Sequence, residues 1–170
     1  MQHFIGIDPG WSSCGYAIVN EESELVCSGS YIPKESGDIT KAVNLLLTLF
    51  LKEERGIFTT LTPLVVNIER FVAYRGVQTS SSEEILMFIG ALIYAFGNAG
   101  ETVLLTRAID WKPKLCKWLV RNKGFNNPFP SFDKKFSLLA AETVSGKKGI
   151  NDHEADAICL AYIALVEYEE

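Results

Sequence analysis

The sequence predicts an α/β fold, a five-stranded mixed sheet flanked by helices. Three observations carry this reading. Five short apolar runs have strand length and strand-like ends. The first three are joined only by polar turns. The last two are separated from the rest by runs whose apolar residues recur at helical spacing. The chain has 170 residues, 48% hydrophobic and 22% charged, enough to bury a core and consistent with a single domain over 1–170.

"HFIGID" (3–8) reads as a strand ending in an acid, and "PGWSS" as a turn. "CGYAIVN" (14–20) and "ELVCSGSYI" (24–32) follow as strands, so the first three runs predict an antiparallel meander. Asp38 or Thr40 caps a helix over about 39–54, whose apolar residues Ala42, Val43, Leu46, Leu47, Phe50 and Leu51 share a face. "LVVNIE" (64–69) is a buried strand that again ends in an acid. "SSSEEILMFIGALIYAFG" (80–97) is a helix with two capping-box patterns, Ser80 with Glu83 and Ser81 with Glu84. Its apolar residues nearly encircle the axis, whereas a surface helix needs one apolar stripe. It is therefore either a central core helix or a helix covered by a second copy of the chain.

"TVLLT" (102–106) is the fifth strand. "WKPKLCKWLVRNKG" is a short basic helix with Pro113 in its first turn, and "NNPFPS" a loop. "FDKKFSLLAAETV" is another helix, and the last runs over 152–167.

No continuous apolar run reaches the length of a membrane span, and the N-terminus lacks the features of a signal peptide. Cys14, Cys27, Cys116 and Cys159 show no metal-binding spacing and read as reduced thiols of a cytoplasmic protein. The net charge of −5 argues mildly against a nucleic-acid partner. Its distribution reverses that: residues 107–148 carry ten Lys and Arg against three acids, a local excess of seven positive charges. Such a stretch makes either a phosphate-binding face or a solvated helical surface.

Asp8 and Glu69 end the first and fourth strands, at the lip of a sheet, where open sheets form sites. The last helix opens with "NDHEAD". Asn151 is a good N-cap, and Glu154 stands where a capping box would use it on the backbone. His153 and Asp156, three apart, share a helix face with Asp152 beside them. The helix is apolar from Ala157 onward, so these acids face the core edge. An acid there is costly unless paired or metal-bound. Converging carboxylates repel one another, and a divalent cation removes the conflict. Oxygen ligands with one imidazole suit Mg²⁺ or Mn²⁺. Two such ions about 4 Å apart suit phosphodiester hydrolysis.

"IGIDPGWSSCGYAIV", "NIERF" and "HEADAICLAYIA", in that order, resemble the RuvC family of Holliday-junction resolvases, within the RNase H-like nucleases. The first motif alone also opens actin-like ATPases; the three together are far more specific. The resemblance implies an RNase H-like fold, a homodimer through the long second helix, and two Mg²⁺ ions per active site with Mn²⁺ as a substitute. It also implies paired symmetric nicks in four-way DNA. The family's metal ligands match Asp8, Glu69, His153 and Asp156, with Asp152 an extra neighbour that competes with His153 for the role. Catalytic lysines of the family match Lys112 and either Lys134 or Lys135. The family inserts an aromatic residue into the junction from the loop after the second acid. Here that place falls at Val72, with Arg70, Phe71, Tyr74 and Arg75 around it, residues suited to base stacking and phosphate contact. Arg107, Lys114, Lys117, Arg121 and Lys123 would grip phosphates along the DNA arms. The acidic total and compact size look more like a phage-type member. Other branched DNA (flaps, forks), RNA–DNA hybrids, or binding to junctions without cutting them are the competing expectations.

Overall fold

A computed structural model describes residues 2–53, 64–71 and 80–169. Five strands form one sheet: β1 (His3–Asp8), β2 (Cys14–Asn20), β3 (Leu25–Tyr31), β4 (Leu64–Glu69) and β5 (Thr102–Thr106). Their spatial order is β3-β2-β1-β4-β5. The meander β1–β2–β3 is antiparallel, while β1 pairs with β4, and β4 with β5, in parallel. The mixed sheet expected from the sequence is therefore present. The C-terminal ends of β1, β4 and β5 share one lip.

The helices are α1 (Ile39–Glu53), α2 (Ser80–Asn98), α3 (Ala108–Lys123), α4 (Lys134–Ser145) and α5 (Asp152–Glu169). Alternation along the strands sends side chains to two cores. Ile5, Ile7, Ile18, Val66 and Ile68 meet α1 and α2 on one face. Phe4, Ala17, Val19 and Val65 meet α3, α4 and α5 on the other. Central strands buried on both faces explain the nearly continuous apolar runs of β1 and β4. None of the described helices is long and apolar enough to cross a membrane. All four cysteines are free, with Cys14 and Cys159 buried.

Asp38 caps α1, its carboxylate accepting from the Lys41 backbone N–H at 2.8 Å. The capping boxes expected at Ser80 and Ser81 lie outside the described side chains. Helix α2 buries Phe88, Ile89, Leu92 and Phe96, but leaves Leu86, Met87 and Tyr94 exposed at 53%, 54% and 73%. One side of this helix faces the core, and its opposite apolar side has no cover among the described residues.

Two expectations need correction. Helix α3 begins at Ala108, so Pro113 is interior rather than in the first turn. The backbone N–H groups of Asp110 and Trp111 bond to the Arg107 carbonyl, and Asp110 pairs with the Arg107 side chain, which starts the helix early. Glu154 does not close a capping box. Its backbone N–H is capped by Asn151 at 2.9 Å, but its carboxylate accepts from Ser28 Oγ and Lys147 Nζ, both at 2.7 Å.

Candidate active site

The parallel register places Ile7 opposite Ile68, so the next residues, Asp8 and Glu69, end adjacent strands at the same lip. Helix α5 crosses the sheet with its first turn at that lip. Two glycines allow its close approach. A β-carbon on Gly6 would stand 1.9 Å from the Ala157 carbonyl oxygen, and one on Gly15 would stand 1.9 Å from that of His153. Gly15 is the cross-strand partner of Asp8. The helix backbone therefore rests on the strand beside the acid, which no larger residue would permit. Asn67, fully buried, fixes the packing further by donating to the Leu160 carbonyl and accepting from Thr106 Oγ1. At the helix start, Asn151 donates to Ser30 Oγ at 2.8 Å and holds the cap to β3.

This packing puts His153 Nδ1 2.6 Å from Asp8 Oδ2. The contact with Asp8, more than the opposing burial, raises the His153 pKa. One turn further along α5, Asp156 faces the buried Lys112 of α3, whose Nζ is 3.5 Å from Asp156 Oδ1. Burial pushes the Asp156 carboxyl up against the opposing pull of Lys112. Glu69 is pushed up to about 8, first by burial and then by the charges of Asp8 and Asp156. Asp152 is paired with Lys134 at the start of α4, which holds its carboxyl below the usual range.

Among the described residues no three His, Cys, Asp or Glu side chains stand as a ready-made metal-holding group. Three of the acids are paired locally: Asp8 with His153, Asp156 with Lys112 and Asp152 with Lys134. The donor set nevertheless suits a hard divalent cation. Asp8, Glu69 and Asp156 supply oxygens near one imidazole. Asp156 Oδ1 is buried without a hydrogen bond. Glu69, pushed up first by burial and then by its acidic neighbours, is a carboxyl whose ionised form a cation would favour.

The remaining predicted residues divide. A cavity of about 480 Å³ at the lip is lined by Asp8, Glu69, Arg70, Phe71 and Arg107 among others. Phe71 also packs against the core beneath α1 and α2, as a turn anchor would. Arg107 is paired with Asp110 at 2.7 Å. Lys117, Arg121 and Lys123 are exposed on α3, and Lys134 and Lys135 on α4. Lys114 is turned away from the lip, 3.5 Å from Glu167 near the far end of α5. Asp133 caps α4 through the Lys135 and Phe136 backbone N–H groups, which offsets the poor placement of two lysines at a helix start. Tyr74 and Arg75 lie outside the described residues.

No family model matches the chain. It is 27% identical over 158 residues to a crossover junction endodeoxyribonuclease RuvC of Heliobacterium modesticaldum, covering 93% of both chains. Among solved structures, RuvC of T. thermophilus in complex with a Holliday junction substrate superposes with a TM-score of 0.69 at 19% identity, covering 99% of this chain and 96% of that one. A second Thermus thermophilus RuvC structure gives a TM-score of 0.63 at 18% identity, covering 99% and 97%.

The chain is RuvC-like. The likeness spans nearly its whole length and includes the strands and helix that carry Asp8, Glu69, His153 and Asp156. Sequence reasoning missed the parts of this candidate site that act through packing: Gly6, Gly15, and the Ser28–Lys147–Glu154 cluster that ties α5 to the sheet edge. A glycine opposite an acid in a paired strand is the signal that could have found Gly15.

Proposed function

We propose that residues 1–170 form one RuvC-like nuclease domain that resolves four-way DNA junctions by paired symmetric nicks. The single observation that carries this reading is the convergence of residues from distant segments at one sheet lip: Asp8 and Glu69 end neighbouring parallel strands, and the first turns of α5 bring His153 to 2.6 Å from Asp8. Two RuvC relatives, one named a crossover junction endodeoxyribonuclease and one seen with a Holliday junction, support the choice of substrate.

Asp8, Glu69, His153 and Asp156 are the residues that would hold Mg²⁺, two ions per site, with Mn²⁺ able to substitute. Such ions supply an activated water and neutralise charge on a phosphodiester. The chain's own residues prepare that chemistry. Asp8, at the centre of the group, is placed by Gly15 and oriented by His153. Glu69 and Asp156 flank it. Lys112, once freed from full pairing with Asp156, offers its ammonium to the scissile phosphate, and Lys134 offers a second cation from the rim. Arg70 and Phe71, which line the lip cavity, would meet the junction centre, with Tyr74 and Arg75 as further candidates by sequence. Lys117, Arg121, Lys123 and Lys135 contact phosphates without reading sequence. A second copy covers the exposed side of α2, giving a homodimer with two sites for two strands.

The test is a synthetic four-way junction incubated with the protein and Mg²⁺, with flaps, forks and hybrids alongside. Symmetric cuts in opposing strands of the junction support the reading. Faster cutting of the other substrates, or tight junction binding without cutting, overturns it.

A further inference from the structure

Beside the candidate active site, α3 and the segment before α4 carry an apolar surface that the proposed metal and phosphate contacts do not account for. The lip cavity and a smaller hollow both contain Ala108 and Ile109, and that hollow shares Pro113 and Phe132 with a wider groove. The groove, about 600 Å³, is lined by Pro113, Cys116, Lys117, Val120, Arg121 and Phe132. Its volume lies in the range that takes a small-molecule-sized group. Ile109, Val120 and Phe132 are exposed at 74%, 53% and 42%. Phe132 is not loose: its ring packs edge-on against the buried Phe136, with centroids 4.9 Å apart. Lys117 and Arg121, one turn apart on α3, border the apolar floor, and neither is paired with an acid among the described residues.

An apolar floor with one aromatic ring and a cationic rim is complementary to a nucleotide: a flat base on the floor, a phosphate on the rim. A paired base hides its face in the helical stack, so the match is to an unpaired one. Through these shared residues the groove connects, by way of the smaller hollow, to the lip cavity that Asp8 and Glu69 line, which puts its occupant in line with the candidate site.

We propose that this groove takes an unpaired nucleotide of the cleaved strand, its base against Phe132 and Val120 and its phosphate against Lys117 and Arg121. The proposal rests on the junction-cutting reading above and adds a subsite that holds the strand open beside the cut. It makes Phe132 a positioning residue.

The experiment is an abasic scan. After the cuts are mapped, single abasic sites are placed at each nucleotide flanking the cut, and nicking is compared for the wild type, Phe132→Ala and Val120→Ser. One abasic position should slow the wild type about tenfold, the scale of one lost base–aromatic stack. The same position should cost little further in either variant, each already slowed on the intact junction. Penalties that simply add at every position overturn the groove proposal, as does a variant whose sedimentation shows a changed oligomeric state, which would make this face a protein contact. Val120→Ser has no ring contact to lose, so it decides the matter if Phe132→Ala fails to fold. A wild type that cuts no branched DNA sinks the underlying reading instead.

Discussion

His153 Nδ1 lies 2.6 Å from Asp8 Oδ2, joining the first turn of the last helix to the end of the first strand across 145 residues of sequence. The contact exists because Gly15, opposite Asp8, lets the helix backbone sit on the strand. Gly15→Ala should push the helix off and separate the pair. The expected cost is about 1–3 kcal/mol, as for overpacking elsewhere, with nicking reduced more than the fall in Tm explains. Thermal melts and junction nicking measured together check this; an alanine variant with unchanged melting and nicking would refute the packing account.

Asp8→Asn removes one oxygen charge while keeping shape. Nicking should fall by roughly 100-fold or more, the scale of losing one group that stabilises transition-state charge. Junction binding, measured by gel shift, should persist because the cations proposed to contact phosphates are untouched.

Glu69 predicts how stability changes with pH. Its carboxyl moves from the ordinary 4.5 up to about 8 on folding, so the folded chain binds the proton more tightly. That contribution is fully present below about 4.5 and is lost as pH rises through about 8. The raised pKa of His153 acts in the same sense. Without divalent cation, stability should therefore decline between these limits by an amount on the order of a few kcal/mol. Glu69→Gln, which cannot ionise, should flatten the decline; denaturation at a series of pH values reads it out.

The strands and their terminal acids were legible because an apolar run that stops at a carboxylate is a buried strand reaching the sheet edge. The start of α5 was legible for a similar reason, as an acidic turn before a run too apolar to be exposed. The partners of Glu154 were not, because Ser28 and Lys147 gain meaning only once α5 lies against β3. Nor was the direction of Lys114: helical spacing groups it with Lys117 and Arg121, but Glu167 draws it toward the other end of the molecule. Pro113 misled the α3 boundary, because a proline ordinarily marks a first turn and here sits in the helix interior.

Helix α2 should be the dimer contact. Tyr94, exposed at 73%, and Met87, at 54%, lie on its uncovered side. Met87→Glu with Tyr94→Asp should convert a dimer into a folded monomer by burying unpaired charge in the interface. Sedimentation measures this; a wild type that is already monomeric at micromolar concentration would remove the role given to this face.

Asp8, Glu69, His153 and Asp156 are proposed to act as one cation site. Calorimetric titration with Mn²⁺ tests it most directly, on the wild type and on Asp8→Asn, Glu69→Gln and Asp156→Asn, each shown folded by melting. Two ions bound per wild-type chain, with affinity or stoichiometry lost in every variant, is the predicted result. Wild-type binding that none of the three substitutions alters would contradict it.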